Sequence, residues 1–492
     1  MKPSILTFFF FLFFSRFFFA QDLYQNFIPC FDYEPTAEEY TNLINAFNEI
    51  EVTFPEMQRK TRKEYEELLL NRKEMVERMK ERSSLMTSDS SGVVLKEMLS
   101  HIVASNPGLL TKEYQIFILR TFRVNAFNMG GGVVFISEGL LSHVRSLDEI
   151  AFVICHELAH DIEQHTIHSA RKRAQILTDK SFKKEVRRIK RMKYNQSSAI
   201  SEFSLSLQAD IYEKSVDKEL QADSLGLQLF LNTDYDYSKV IDVMNTLSLS
   251  DWPIYRDSIQ LDKHLSFDDF PFQDDWTKTH YETDIGGNLE KLYEIPDSLK
   301  THPDTELRIE EIAKTLNLEL KEAPADSFYT DLKNLSPTLL RARFEMLHLL
   351  AKYDNRDYQL YHSLQLLEHF PENQYLKNSV AEALYEIYAA ALEHEFSAVV
   401  NMPSSQYHPA FNQIVNFLHS IRTSEIKELA KIYAKQHVAP RQKDDVFSGY
   451  VMLLINSMDQ SEKERAELAA TFKKQFDNEE YHSKLKNKFI TK

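Results

Sequence analysis

Glycine is both scarce and clustered in this chain: there are ten glycines in 492 residues, and four of them fall between positions 130 and 139. A chain with so few residues suited to left-handed backbone has little means of making many tight reversals. With Leu, Glu and Lys abundant, this predicts a mainly α (α+β) fold: helices on short loops, with one small β region. The glycine cluster marks either a close approach of backbone to something else or a simple hairpin turn.

The β region surrounds that cluster. Residues 114–122 are rich in Ile, Leu and aromatics, and residues 133–137 form a short β-branched run. Upstream, residues 36–104 carry charged amphipathic runs such as 61–82. They are expected to be helical, broken at the polar stretch 88–92.

Lys2 precedes a sixteen-residue apolar run, 5–20, that holds nine of the 34 phenylalanines. A spanning helix needs about 20 residues. Arg16 inside the run would cost roughly 2.5–3.5 kcal/mol at bilayer depth. Residues 1–20 are therefore expected to be a signal peptide cut near Ala20–Gln21, with an uncleaved anchor as the other reading; Phe18 is bulkier than usual at its position. No later stretch is long and apolar enough to span a membrane. The mature chain is expected outside the cytoplasm, periplasmic or secreted, with an N-terminal helical region over 21–93. A formal charge of −16, from 58 Lys+Arg against 74 Asp+Glu, argues against nucleic acid as a partner. Two cysteines, Cys30 and Cys155, exclude a disulfide scaffold and are expected to be free thiols.

The chemistry sits in one predicted helix. Ser146 and Glu149 form a capping-box pattern, and residues 150–155 are apolar on every face. Into this buried segment are set His156, Glu157 and His160, groups that are costly to bury unless paired or bound to a metal. Residues four apart share a helical face, so both imidazoles can address one Zn2+ ion, and Glu157 can act as general base on its water. The third ligand is not downstream on the same helix: Glu163 and Thr166 stand where a metzincin needs Gly and His. His165 would lie about 140° around a continuous helix from His160. Fifty-nine residues beyond His160, Glu219, Ala222, Asp223 and Gly226 fall on one helical face. The two small residues would let this helix approach the first and bring Glu219 to the metal. Asp223 could then fix the tautomer of a ligand histidine. A solvated acidic face is the alternative, but it gains nothing from Ala and Gly.

At this point a resemblance emerges. Asn125-Ala126-Phe127, the glycine-rich strand entry, HELAH at 156–160, Glu219-x-x-Ala222-Asp223, and Thr301-His302-Pro303 with Arg308-Ile309 stand in order. They resemble the gluzincin metallopeptidase family (peptidase family M48) of HtpX, BepA and the CAAX prenyl protease over about residues 94–315. The resemblance implies a zincin-type domain with a small β-sheet, bounded here at 94–325, and one Zn2+ per chain. It implies protein or peptide substrates laid along an edge strand near 133–137, with Asn125 close to the bound backbone. His302 would stabilise the tetrahedral intermediate, and Arg308 would pair with an acidic residue such as Asp223. The multiple transmembrane helices of HtpX and the prenyl protease are missing, so the soluble, BepA-like members are the nearer analogy.

Three segments carry no assigned role. Residues 171–193 hold eleven Lys/Arg against two acids and read as a solvated charged loop, or as a lid or docking patch for anionic lipid or substrate. Residues 251–300 hold both tryptophans and twelve acids against five bases. Residues 326–492 form a C-terminal helical domain in which 357–390 resembles a tetratricopeptide helix pair. That domain fits an array contacting envelope protein partners, or a plain stabilising bundle. A metalloendopeptidase of extracytoplasmic proteins is the leading expectation; a chaperone or assembly factor with secondary proteolysis is the alternative.

Overall fold

The structure, a computed structural model, describes residues 35–48, 56–87, 90–192, 196, 216–248, 250, 257–278, 305–318, 332, 335–404, 407–438 and 445–489. Helices α1 (Ala37–Asn48) and α2 (Arg59–Glu81) lead into strand β1 (Leu85–Met86) and helix α3 (Ser90–Ser105). The polar stretch near residue 90 thus opens a helix, and the break falls earlier, where Ser83 has φ 49°. Strands β2 (Gln115–Leu119), β3 (Ala126–Asn128) and β4 (Val133–Ser137) follow, and helix α4 (Glu138–His143) continues directly from β4.

The sheet order is β1-β2-β4-β3; β2 and β4 are parallel and the other pairs antiparallel. The expectation that 133–137 is the edge strand fails. Every residue of β4 is buried, and both sides of the strand are paired. A continuous apolar run without outward polar alternation suits a central strand. The edge is β3, which Asn125 leads into. Gly130, Gly131 and Gly132, all with positive φ (83°, 66°, 74°), turn β3 back into β4, and the cluster also serves close backbone approach: a Cβ would lie 2.6 Å from the Glu113 carbonyl oxygen at Gly132 and 2.4 Å from the Phe122 and Arg123 carbonyl oxygens at Gly139.

Helix α5 (Leu147–Ile162) starts as its sequence dictates: Ser146 Oγ accepts from Glu149 N–H, and Glu149 Oε1 accepts from Ser146 N–H at 3.0 Å. It is buried on nearly every face and packs on the sheet. Glu163 and Gln164, the latter at φ 51°, break it before α6 (His165–Thr178) and α7 (Lys180–Lys190). The basic run is therefore helical, not a loop, over its described residues. Helix α6 buries Ile167 and Ala174 against Met57 and Tyr65, from just before and within α2, while most of its charges face outward. Next come α8, whose described part covers 216–231, then α9 (Val240–Ser248) and α10 (Thr305–Leu316).

The C-terminal region is wholly helical among its described residues: α11 (Pro337–Lys352), α12 (Arg356–His369), α13 (Gln374–Leu392), α14 (Pro409–Ser420), α15 (Thr423–His437), α16 (Val446–Asn456), α17 (Glu462–Gln475) and α18 (Glu479–Phe489), with a short turn at Phe396–Val399. Helices α12 and α13 are the pair that the sequence suggests. This region shares one apolar core with the sheet region: Leu141, Ile154, Phe344 and Leu364 belong to a single buried cluster. The acidic insertion has a structural role. Trp276, 4% exposed, sits among Phe270, Phe272 and Phe417, while Asp257 accepts from Tyr361 Oη (2.5 Å) and Gln365 Nε2 (2.6 Å). No described helix is long and apolar enough to cross a membrane.

Candidate metal centre

Helix α5 presents His156 and His160 one turn apart, with their Nε2 atoms 3.0 Å from each other. Helix α8 crosses α5 with almost no gap, because Gly226 lies against the His156 backbone and Ala222 is fully buried. The approach places Glu219 Oε2 3.5 Å from His156 Nε2 and Glu219 Oε1 3.4 Å from His160 Nε2. Donor atoms of His156, His160 and Glu219 lie within 4.8 Å of one another, the one such cluster among the described residues.

One turn along α8, Asp223 Oδ1 lies 2.9 Å from His156 Nδ1. Arg308 of α10 closes the inner side, donating from Nε to Asp223 Oδ2 (2.6 Å) and from Nη2 to Asp223 Oδ1 (2.8 Å). Its Nη1 stands 2.9 Å from Glu219 Oε2. The sequence thus gathers His156, Glu157, His160, Glu219, Asp223 and Arg308 in one place. His302 and Cys30 lie outside the described residues; Cys155 is a buried free thiol.

Charge in the centre follows from these neighbours. Burial alone would discharge His156, but Asp223 and Glu219 outweigh it and push its pKa up to about 10 in the metal-free chain. Burial likewise opposes ionisation of Glu219 and Asp223, yet the imidazoles and Arg308 hold both carboxyls below the ordinary range. Glu157 is pushed upward, chiefly by burial. It faces a small cavity shared with Ala126 of β3, Met244, Leu247 and Arg308.

The donor set fits zinc: two imidazole nitrogens and one carboxylate, the combination that leaves a fourth position open. Glu219 Oε2 is buried and completes no hydrogen bond. The two imidazole Nε2 atoms, 3.0 Å apart, and the Glu219 carboxylate, within 3.5 Å of both, converge on one spot.

His165 is the neighbour that helical spacing places elsewhere. The two-residue break at Glu163–Gln164 redirects the chain, so His165 Nδ1 comes within 2.9 Å of His160 Nδ1. Its own Nε2 lies 3.1 Å from Gln221 Oε1. Burial, then His160, lowers its pKa to about 4. The break is held by Asp161, which accepts from Gly132 N–H (2.9 Å) and pairs with Lys112. Beyond His160 opens a polar cleft of about 800 Å³, lined by Asn42, Tyr114, Gly130, Gly131, Asp161 and Gln164 among others.

Residues 94–316 match the family model described as Peptidase family M48. Over 89 residues the chain is 29% identical to the mitochondrial metalloendopeptidase OMA1 of Bos taurus, covering 18% of this chain and 17% of that protein. Over 76 residues it is 32% identical to a putative beta-barrel assembly-enhancing protease of Vibrio cholerae, 15% of this chain and 16% of that one. Over 72 residues it is 32% identical to the mitochondrial metalloendopeptidase OMA1 of Schizosaccharomyces pombe, 15% and 21%. The chain thus matches about a fifth or less of the length of these relatives.

Proposed function

Because residues 94–316 are a peptidase family M48 domain, we propose that the chain is a zinc-dependent metalloendopeptidase cleaving proteins outside the cytoplasm. The observation that carries the reading is the meeting of three zinc-type donors, from helices distant in sequence, near β3, which ends the strand order of the sheet among the described residues.

His156, His160 and Glu219 would hold the ion, which when bound supplies a Lewis acid to polarise the scissile carbonyl. Glu157 follows the first ligand directly and does not join the donor cluster. It takes the proton of the attacking water and passes it to the departing amine. Burial raises its pKa, which makes it a better base than an exposed glutamate. The substrate backbone adds to β3 at the sheet edge. Pairing of Asn125 and Met129 with β4 turns the N–H and C=O of Ala126 to the other side. His302 keeps its proposed place beside the oxyanion on the motif Thr301-His302-Pro303 alone. The extracytoplasmic site rests on the apolar run 5–20 with its preceding Lys2. Helices α11–α18 are proposed to contact protein partners; the Vibrio relative's name, an assembly-enhancing protease, supports that reading.

Purified full-length chain should hold about one zinc per molecule and cleave an unstructured protein substrate. Glu157→Gln should keep the zinc and lose at least a hundredfold in cleavage rate. Metal loss in Glu157→Gln, or unchanged cleavage by it, would remove Glu157 from the role of base.

A further inference from the structure

We propose that His165 and Gln221 form a positioning relay that fixes the proton of His160 on Nδ1 and thereby frees its Nε2 for the metal. The proposal rests on the metal-site reading above and adds residues that no ligand motif contains.

The direction of the relay follows from hydrogen-bond chemistry. Gln221 turns its carbonyl oxygen to His165 Nε2 at 3.1 Å, and an oxygen only accepts, so Nε2 carries the proton. A neutral imidazole has one N–H, so His165 Nδ1 is left with a lone pair. That lone pair lies 2.9 Å from His160 Nδ1, which must therefore be the protonated nitrogen of His160. Nε2 of His160 then points its own lone pair toward His156 Nε2 and Glu219. With the amide of Gln221 turned over, every proton in the chain would shift by one nitrogen. His160 Nε2 would become an N–H and could not ligate. The orientation of one exposed amide thus selects the tautomer of a partly buried ligand.

Helix α8 is built to do this twice. Glu219, Asp223 and Gly226 face α5, whereas Lys218 and Gln221, three apart, face the start of α6. Lys218 Nζ donates to Ser169 Oγ at 2.7 Å and holds that second contact in register. Each ligand histidine therefore has its Nδ1 side engaged: His156 by the Asp223 carboxylate, His160 by a neutral imidazole backed by an amide. Outer partners of this kind typically change metal affinity 10–100-fold when removed.

The test is zinc affinity of the full-length chain, measured by competition with a chromophoric chelator. His165→Phe keeps the ring but removes the acceptor and should weaken zinc about tenfold or more. His165→Asn places Oδ1 near the position of Nδ1 and should return affinity to within a few-fold of wild type. Gln221→Leu lies on an exposed position that the fold tolerates, and should weaken zinc several-fold. Nitrogen-15 correlation spectra of the zinc-loaded chain should show N–H at His160 Nδ1 and at His165 Nε2. Affinity in His165→Phe and Gln221→Leu within twofold of wild type would overturn the relay, as would Asn no better than Phe, or a proton on His165 Nδ1. A wild-type chain that binds no zinc would overturn the metal-site reading and the relay with it.

Discussion

Gly226 stands against the backbone of His156: a Cβ on the glycine would lie 2.9 Å from His156 Cα and 3.0 Å from His156 N. Neither neighbour can give way, because both are main chain of a buried helix. The absence of a side chain at 226 therefore sets the distance between α8 and α5, and with it the reach of Glu219. Gly226→Val should force the helices apart, weaken zinc by more than tenfold and cost about 1–3 kcal/mol of stability through overpacking. Chelator competition and denaturant unfolding measure the two effects separately. Normal zinc binding by this variant would show that helix approach is not what presents Glu219.

Arg308 is 1% exposed and faces two carboxylates, Asp223 and Glu219, both largely buried. Removing one member of such a network leaves uncompensated buried charge, typically at a cost of about 3–5 kcal/mol. Arg308→Leu should lose about that much in the metal-free chain. Zinc brings positive charge back to the same place, so added zinc should stabilise Arg308→Leu more than wild type. Thermal midpoints with zinc and with chelator check this; an equal zinc increment in the two proteins counts against it.

The helical region is coupled to the domain that holds the candidate metal centre more closely than a tethered module would be. Arg343 of α11 is buried and donates from Nε to the Ser142 carbonyl (2.9 Å) and from Nη2 to the Val144 carbonyl (3.1 Å) at the end of α4. Truncation near Ala325 exposes the apolar surface that α11 covers. It should lower the thermal midpoint markedly and reduce zinc retention. A truncated chain that stays folded, zinc-loaded and active on short peptides would instead make the C-terminal region an independent recruiting module.

What the sequence disclosed was whatever depends on spacing along one helix. Ser146 and Glu149 specify the start of α5, and the small residues at 222 and 226 specify the face that meets it. What stayed hidden depends on breaks and on tertiary cover. Gln164 takes a left-handed conformation without glycine to announce it, so His165 is misplaced by any continuous-helix reading. Two-residue β1 is too short to show a period. The basic helix α6 shows few apolar residues because α2 covers one narrow side of it, and Trp276 reveals its role only beside Phe417, 141 positions away.

Acid should loosen the junction between the two halves. His143 is held neutral, with its pKa lowered to about 4, mainly by burial and secondarily by Arg343. His362, also buried and donating to the Arg343 carbonyl at 2.8 Å, is lowered to about 3 by burial, then by His143 and Arg343. In the unfolded chain both titrate near 6.5. Between pH 6.5 and about 4 the unfolded chain therefore binds protons that the folded chain refuses, and stability falls with pH. Each histidine contributes a slope of about 1.4 kcal/mol per pH unit in that window, and none above it. The pair His143→Asn and His362→Gln keeps a neutral donor at each site and removes the titration. Denaturant midpoints of chelator-treated protein at pH 7, 5.5 and 4.5 should fall steeply for wild type and less steeply for the double variant. His348, half-buried and lowered to about 3 mainly by desolvation, keeps some acid sensitivity in both. Identical slopes in the two proteins would mean that His143 and His362 are not the groups through which acid acts.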